Sequence, residues 1–239
     1  VIKFVAWPLL YLGSRWSFRS SWETILAVHS IYQDGSDAGR FAVQIYRGLR
    51  EGDLRAEPVV ELACLMEEFD AGRPPVREIL ERPTAELTSE EVAHLGRDLL
   101  RATGFDQLWA TLETAVKVVE GDVRASGIDA VLTIVIPDWD DSGCARVECC
   151  GGCGGPAIWP SSGRDVGVAL VEIADAVQDV VMEHTWGVWP TCPEHRLGLH
   201  AAFVEGTAVW RCAGAGTHTA AAIGDLGLSA RQRHSHRSK

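Results

Sequence analysis

The sequence predicts an α+β protein, with a mainly helical N-terminal region followed by a small antiparallel sheet carrying one long amphipathic helix and a C-terminal hairpin. Three observations predict it. Helical periodicity with capping signals runs to about Gly127, short β-branched runs begin at Asp129, and six of the seven cysteines fall between Cys144 and Cys212. The expected divisions are a helical region over 1–127, a Cys/His-rich small-sheet domain over 128–228 and a disordered basic tail over 229–239.

The apolar run Phe4 to Leu12 opens the chain. It is too short to cross a bilayer, which takes roughly 20 apolar residues, and Pro8 interrupts it. No small-x-small cleavage site follows in Gly13-Ser14-Arg15-Trp16, so a buried strand or anchoring segment is expected rather than a secretory signal. Asp37 is placed as the cap of a helix whose stripe is Phe41, Ile45, Tyr46 and Leu49, ended by Gly52. A second helix after Pro58 turns Val59, Leu62, Ala63, Met66 and Phe69 inward and stops at Gly72-Arg73-Pro74-Pro75. Cys64 lies on or beside that inward face, where a lone thiol acts as a small core residue. Thr88 and Glu91 make a capping box for a helix with Val92, Leu95, Leu99 and Leu100, closed by Gly104. His94 on that helix is expected at the surface. A longer helix from Asp106 carries Leu108, Leu112, Ala115, Val119 and Val123.

Beyond Gly127, Ala130 to Ile136 reads as a strand covered on both faces, and Ala145 to Glu148 as its return. Pro156 to Trp159 suits a third strand. In the helix that follows, Val166, Leu170, Ile173, Val177, Val180, Val181 and His184 share the apolar face, with Glu172, Asp175, Gln178, Asp179 and Glu183 opposite. His184 is accordingly expected in the core. Leu199 to Val204, a turn at Glu205-Gly206-Thr207 and Ala208 to Cys212 predict a hairpin, and Thr219 to Ile223 a last strand.

The chemistry that stands out is metal binding. Two donors separated by two residues can reach one ion from a tight turn, and zinc takes four thiolate or imidazole donors in a tetrahedron. Cys150 and Cys153, separated by Gly151-Gly152, form one such pair, and Cys192 and His195 form another. Together they make one candidate set, with the long helix between its halves. The C-terminal piece alone makes a second set of Cys192, His195, Cys212 and His218, with His200 as a substitute for His218. The hairpin between the halves of this second set resembles a zinc ribbon over about the last 35 residues. That resemblance implies a small metal-stabilised module, although the second knuckle is stretched and ends in histidine. Zinc is the expected cofactor.

Other chemistries are weaker. Vicinal Cys149-Cys150 beside Cys153 and Cys144 offers exchangeable thiols, but Arg146 is the nearest cation in sequence and no helix start follows. Asp138-Trp139-Asp140-Asp141-Ser142-Gly143 opens like a calcium loop, but its twelfth position is Cys149 rather than glutamate, so a solvated acidic turn is expected. No nucleophile elbow, HExxH pair, phosphate loop or dinucleotide fingerprint occurs in the sequence. An enzyme using Asp138, Asp140 or His184 in a cleft is the alternative to a non-enzymatic zinc protein.

Net charge is −11, which repels phosphate backbones and argues against nucleic acid as a partner. Trp159, Trp186, Trp189 and Trp210 cluster around the knuckles and suit a small metal core or a protein-binding surface. A protein partner, no membrane association and a cytoplasmic location complete the expectation.

Overall fold

A computed structural model of the chain describes residues 32, 35–68, 74–140 and 142–227. The expected Phe4 to Leu12 segment, Phe69 with the Gly72-Arg73 part of the breaker, Asp141 and the tail beyond 228 lie outside the described residues.

The N-terminal region is helical. α1 (Asp37–Glu51) is capped by Ser36, whose hydroxyl accepts from Gly39 N at 3.2 Å, one residue earlier than the sequence reading placed the cap. Gly52, at φ 78°, closes it in the left-handed conformation that glycine adopts without a Cβ clash. α2 (Ala56–Glu68) buries Val59, Leu62, Ala63 and Met66, while Cys64 is exposed rather than in the core. The Pro74-Pro75 pair does more than break a helix: it opens α3 (Pro74–Glu81), because proline costs nothing at a first turn whose amides have no intrahelical acceptor. α4 (Ser89–Thr103) begins with the Thr88–Glu91 capping box, and Gly104 separates it from α5 (Phe105–Ala125). His94 is exposed, 3.1 Å from Asp98.

Two antiparallel three-stranded sheets follow. The first joins β1 (Leu132–Val135), β2 (Ala145–Cys149) and β3 (Gly152–Ile158) in that order. Its first strand is shorter than Ala130 to Ile136 and covered on one face only: Leu132 and Ile134 are buried, Thr133 is exposed, and Val131 before the strand is 64% exposed. An antiparallel sheet tolerates one wet face, so a continuous apolar run did not require two cover layers. The second sheet joins β4 (Leu199–Val204), β5 (Thr207–Cys212) and β6 (His218–Ala222).

Between the sheets runs α6 (Val166–Thr185), capped by Asp165 and packed against α5, β2, β3, β4 and β5. Its buried residues, Ala169, Ile173, Ala174, Ala176, Val177, Gln178, Val180 and Val181, occupy more than one face because neighbours press on it from several sides. Three placements from the sequence change, the first being Val166, expected on the apolar face but 64% exposed in the first turn. Gln178 is buried rather than solvent-facing, and His184, in the last turn, is exposed rather than in the core. Buried residues from the helical region and from both sheets form one contiguous apolar cluster, including Phe105, Leu112, Ile158, Ile173 and Trp210.

Candidate metal centre

The segment before β4 builds the first half of the centre. After the cis Trp189-Pro190 bond, the Thr191–Gly198 bridge closes a loop, inside which Cys192 N donates to Leu197 O at 2.7 Å and Arg196 N to Cys192 O at 2.8 Å. Pro193 and Glu194 are thereby folded into a single tight turn, and Cys192 and His195 present their donors to the same side. β5 ends at Cys212 and β6 begins at His218, paired with Cys212 across the ladder, so the strand register delivers the second half.

The four donor atoms, the sulfurs of Cys192 and Cys212 and a ring nitrogen from each of His195 and His218, lie within 4.8 Å of one another. Cys192 Sγ is 3.7 Å from His195 Nδ1 and 3.7 Å from His218 Nε2, and Cys212 Sγ is 3.5 Å from His195 Nδ1. With Zn–S near 2.3 Å and Zn–N near 2.05 Å, the edge of a tetrahedron from sulfur to nitrogen is about 3.6 Å. The three sulfur–nitrogen separations match that edge. Both thiols are fully buried, whereas the two imidazoles are half-buried with ring centroids 5.1 Å apart. The cluster can hold a metal ion.

The two thiols are pushed in opposite directions: the Gly214 amide favours thiolate at Cys212, but burial and the neighbouring Cys192 sulfur outweigh it and raise that thiol, whereas Cys192 is lowered. Burial alone would raise the Cys192 thiol, but the amides of His195 and Glu194, the His195 ring and Cys212 outweigh it and bring the thiol down to about 6. Gly214 N lies 3.3 Å from Cys212 Sγ. Gly214 is also where the His195 ring rests: a Cβ there would sit 2.6 Å from His195 Cγ, so no side chain fits without moving that ligand. Glu194 brings a carboxylate oxygen to 3.8 Å from His218 Nε2.

Three side chains outside the four donors hold the frame, Gln178, Trp189 and Asp122, of which only Trp189 was expected near the centre. The buried Gln178 amide donates from α6 to Trp189 O at 3.0 Å and Leu199 O at 2.6 Å, fixing the chain on both sides of the Cys192–His195 turn. Trp189 Nε1 donates to Ser126 Oγ at 2.9 Å, and its ring meets Trp210 edge-on with centroids 5.4 Å apart. Asp122, fully buried on α5, accepts from Trp210 Nε1 at 2.7 Å, Gly224 N at 2.7 Å and Leu226 N at 2.9 Å. No local signal marked the first of these, because Gln178 lies between Asp175 and Asp179 on the polar side of the helical pattern.

Cys150 and Cys153 are not part of the four-donor group. The expected knuckle Cys149 to Gly154 is a two-residue hairpin turn between β2 and β3, with Cys149 paired to Gly152. Cys150 at φ 54° and Gly151 at φ 84° supply the paired left-handed residues of a type I′ turn. Cys150 therefore sits at the tip while Cys153 enters the ladder opposite Glu148, and both are exposed. His200 is exposed on the face of β4 opposite the buried Leu199 and is also outside the group. The acidic turn is occupied internally: Asp140 accepts from Ser142 and pairs with Arg146 at 3.3 Å. The Ser142 hydroxyl in particular holds its carboxyl below the ordinary value. Asp138 is exposed and reaches Arg47 at 3.9 Å. Trp210 and Trp189 are core residues, whereas Trp186 is 94% exposed. Among the described residues no helix is long and apolar enough to cross a membrane. No family model, curated protein or solved structure matches the chain.

Proposed function

We propose that this is a non-enzymatic zinc protein whose C-terminal sheet is held by one structural ion on Cys192, His195, Cys212 and His218. The observation that carries the reading is the set of sulfur–nitrogen separations at tetrahedral edge length around two buried sulfurs. A two-sulfur, two-nitrogen tetrahedron suits zinc among common metals. Four protein donors leave no open position for a substrate or an activated water, which favours structure over catalysis. The order of parts, a tight turn with two donors, a β-hairpin, then two more donors before a third strand, supports a zinc-ribbon-like module.

The ion supports a surface for a protein partner in this reading. Trp186, Val188 and Leu197 are 94%, 63% and 49% exposed on the segment that also carries Cys192 and His195. Fixing that segment by a metal fixes those apolar side chains in one arrangement, which lowers the ordering cost of binding.

Metal analysis of the purified chain tests the proposal. One zinc per chain is expected, and its removal by chelator should unfold the C-terminal sheet. Absence of metal, or a metal that exchanges while all secondary structure persists, would overturn it. For the surface, a photo-crosslinker at position 186 should yield the same adduct protein from cell extract repeatedly and lose it on metal removal.

A further inference from the structure

Outside the metal centre, one group of side chains carries chemistry that nothing in the fold uses. Cys149 and Cys150 place their sulfurs 3.5 Å apart, with Cys149 as donor, and the exposed Cys150 Sγ is 3.8 Å from His184 Nε2 in the last turn of α6. The contact joins elements 34 residues apart, so it is made by the fold and not by local sequence. It depends on two features: the type I′ turn that puts Cys150 at the tip of the first hairpin, and the exposure of His184.

We propose that Cys150, His184 and Cys149 form a hydroperoxide-reactive thiol site, with Cys150 as attacking sulfur, His184 as its base and Cys149 as resolving thiol. An imidazole beside a thiol takes its proton and leaves the nucleophilic thiolate. The thiolate attacks the terminal oxygen of the hydroperoxide. A sulfur–oxygen bond forms, the oxygen–oxygen bond breaks, and the departing alkoxide or hydroxide takes the proton held by His184. Cys150 becomes a sulfenic acid, having given two electrons to the peroxide.

Cys149 is positioned for the second step. Burial first, and then Cys150, push its thiol up to about 11, so it rests as a protonated donor against Cys150. Its sulfur attacks Cys150 Sγ, the sulfur–sulfur bond forms, the sulfur–oxygen bond breaks, and the Cys149 proton leaves with the hydroxide as water. Among the described residues, the two exposed cysteines without such an imidazole contact, Cys64 on α2 and Cys153 on β3, are built-in controls.

The test is peptide mass spectrometry of the full chain as purified, treated with substoichiometric tert-butyl hydroperoxide. Cys150 should be oxidised about tenfold faster than Cys64 or more, and the peptide holding Cys149-Cys150 should lose two hydrogens, reversibly with dithiothreitol. His184→Gln should slow this about tenfold without changing zinc content or circular dichroism. Cys149→Ser should stop at a sulfenic acid that dimedone traps on Cys150. Equal rates at Cys150 and Cys64, or an unchanged rate in His184→Gln, would overturn the proposal.

Discussion

Two stretches of this chain carry a pair of donors separated by two residues, and they fold differently. From Cys192 to His195 the backbone closes on itself through the Leu197 and Arg196 hydrogen bonds, and both donors face one point. From Cys150 to Cys153 the same spacing straddles a hairpin: one residue is the turn tip and the other a strand position opposite Glu148. Spacing sets how far apart two donors lie along the chain. Turn type decides whether they converge. Proline and glutamate between the first pair suit a compact loop, whereas glycine between the second pair supplies the positive φ that a two-residue hairpin demands.

The sharpest way to break this comparison is to remove donors. Cys212→Ser should cut zinc content from one to near none and expose the C-terminal sheet to hydrogen exchange, at a cost on the order of 10 kcal/mol of folding free energy. Cys150→Ser and Cys153→Ser should each keep one zinc and unfold within about 0.5 kcal/mol of the parent. Equal zinc loss from both kinds of variant would erase the distinction between the two stretches.

Gln178→Leu asks whether the converging turn is held from outside. It strands two buried carbonyls, at Trp189 and Leu199, and should cost about 3 kcal/mol in denaturant unfolding, with weaker metal retention against a competing chelator. Gly214→Ala, which presses on the His195 ring, should lower zinc affinity about tenfold or more with a smaller change in stability.

The smallest effect lies far from both stretches and serves as a baseline. Glu91, bonded to Thr88 N and Arg82, is held down to about 2 against 4.5 ordinarily. Because the folded value is the lower, its contribution is present above about pH 4.5 and is lost as pH falls toward 2. Glu91→Gln should flatten acid unfolding of α4 in that window, read by circular dichroism, and leave zinc content unchanged at neutral pH.

Much of the helical region was legible because its signals are local. The Thr88–Glu91 box, Gly52 and Gly104 act within one turn, and the Glu205-Gly206 hairpin follows from two residues. The Cys149-Cys150-Gly151 segment was misread because its cysteines suggested a ligand knuckle while its glycines were serving strand geometry. Gln178 is buried because α6 is pressed from several sides along its middle, whereas Val166 and His184 are exposed in its first and last turns. A single apolar stripe is therefore a poor guide to this helix. Asp122 looked like any acidic helix residue. Its partners, Trp210, Gly224 and Leu226, arrive from 88, 102 and 104 positions later, and no window of sequence contains them together.

That last separation bears on how the molecule is made. While the chain is being synthesised, helix α5 can form early, but it must carry an anionic side chain in what will become the interior until residues 210 to 226 have emerged. The β5–β6 hairpin and the turn after it then deliver three donors to one carboxylate, so a segment about a hundred residues downstream seals the helix in place. A nascent chain stalled before residue 210 would leave that anchor without its latch, and a truncation there would damage helices formed long before it.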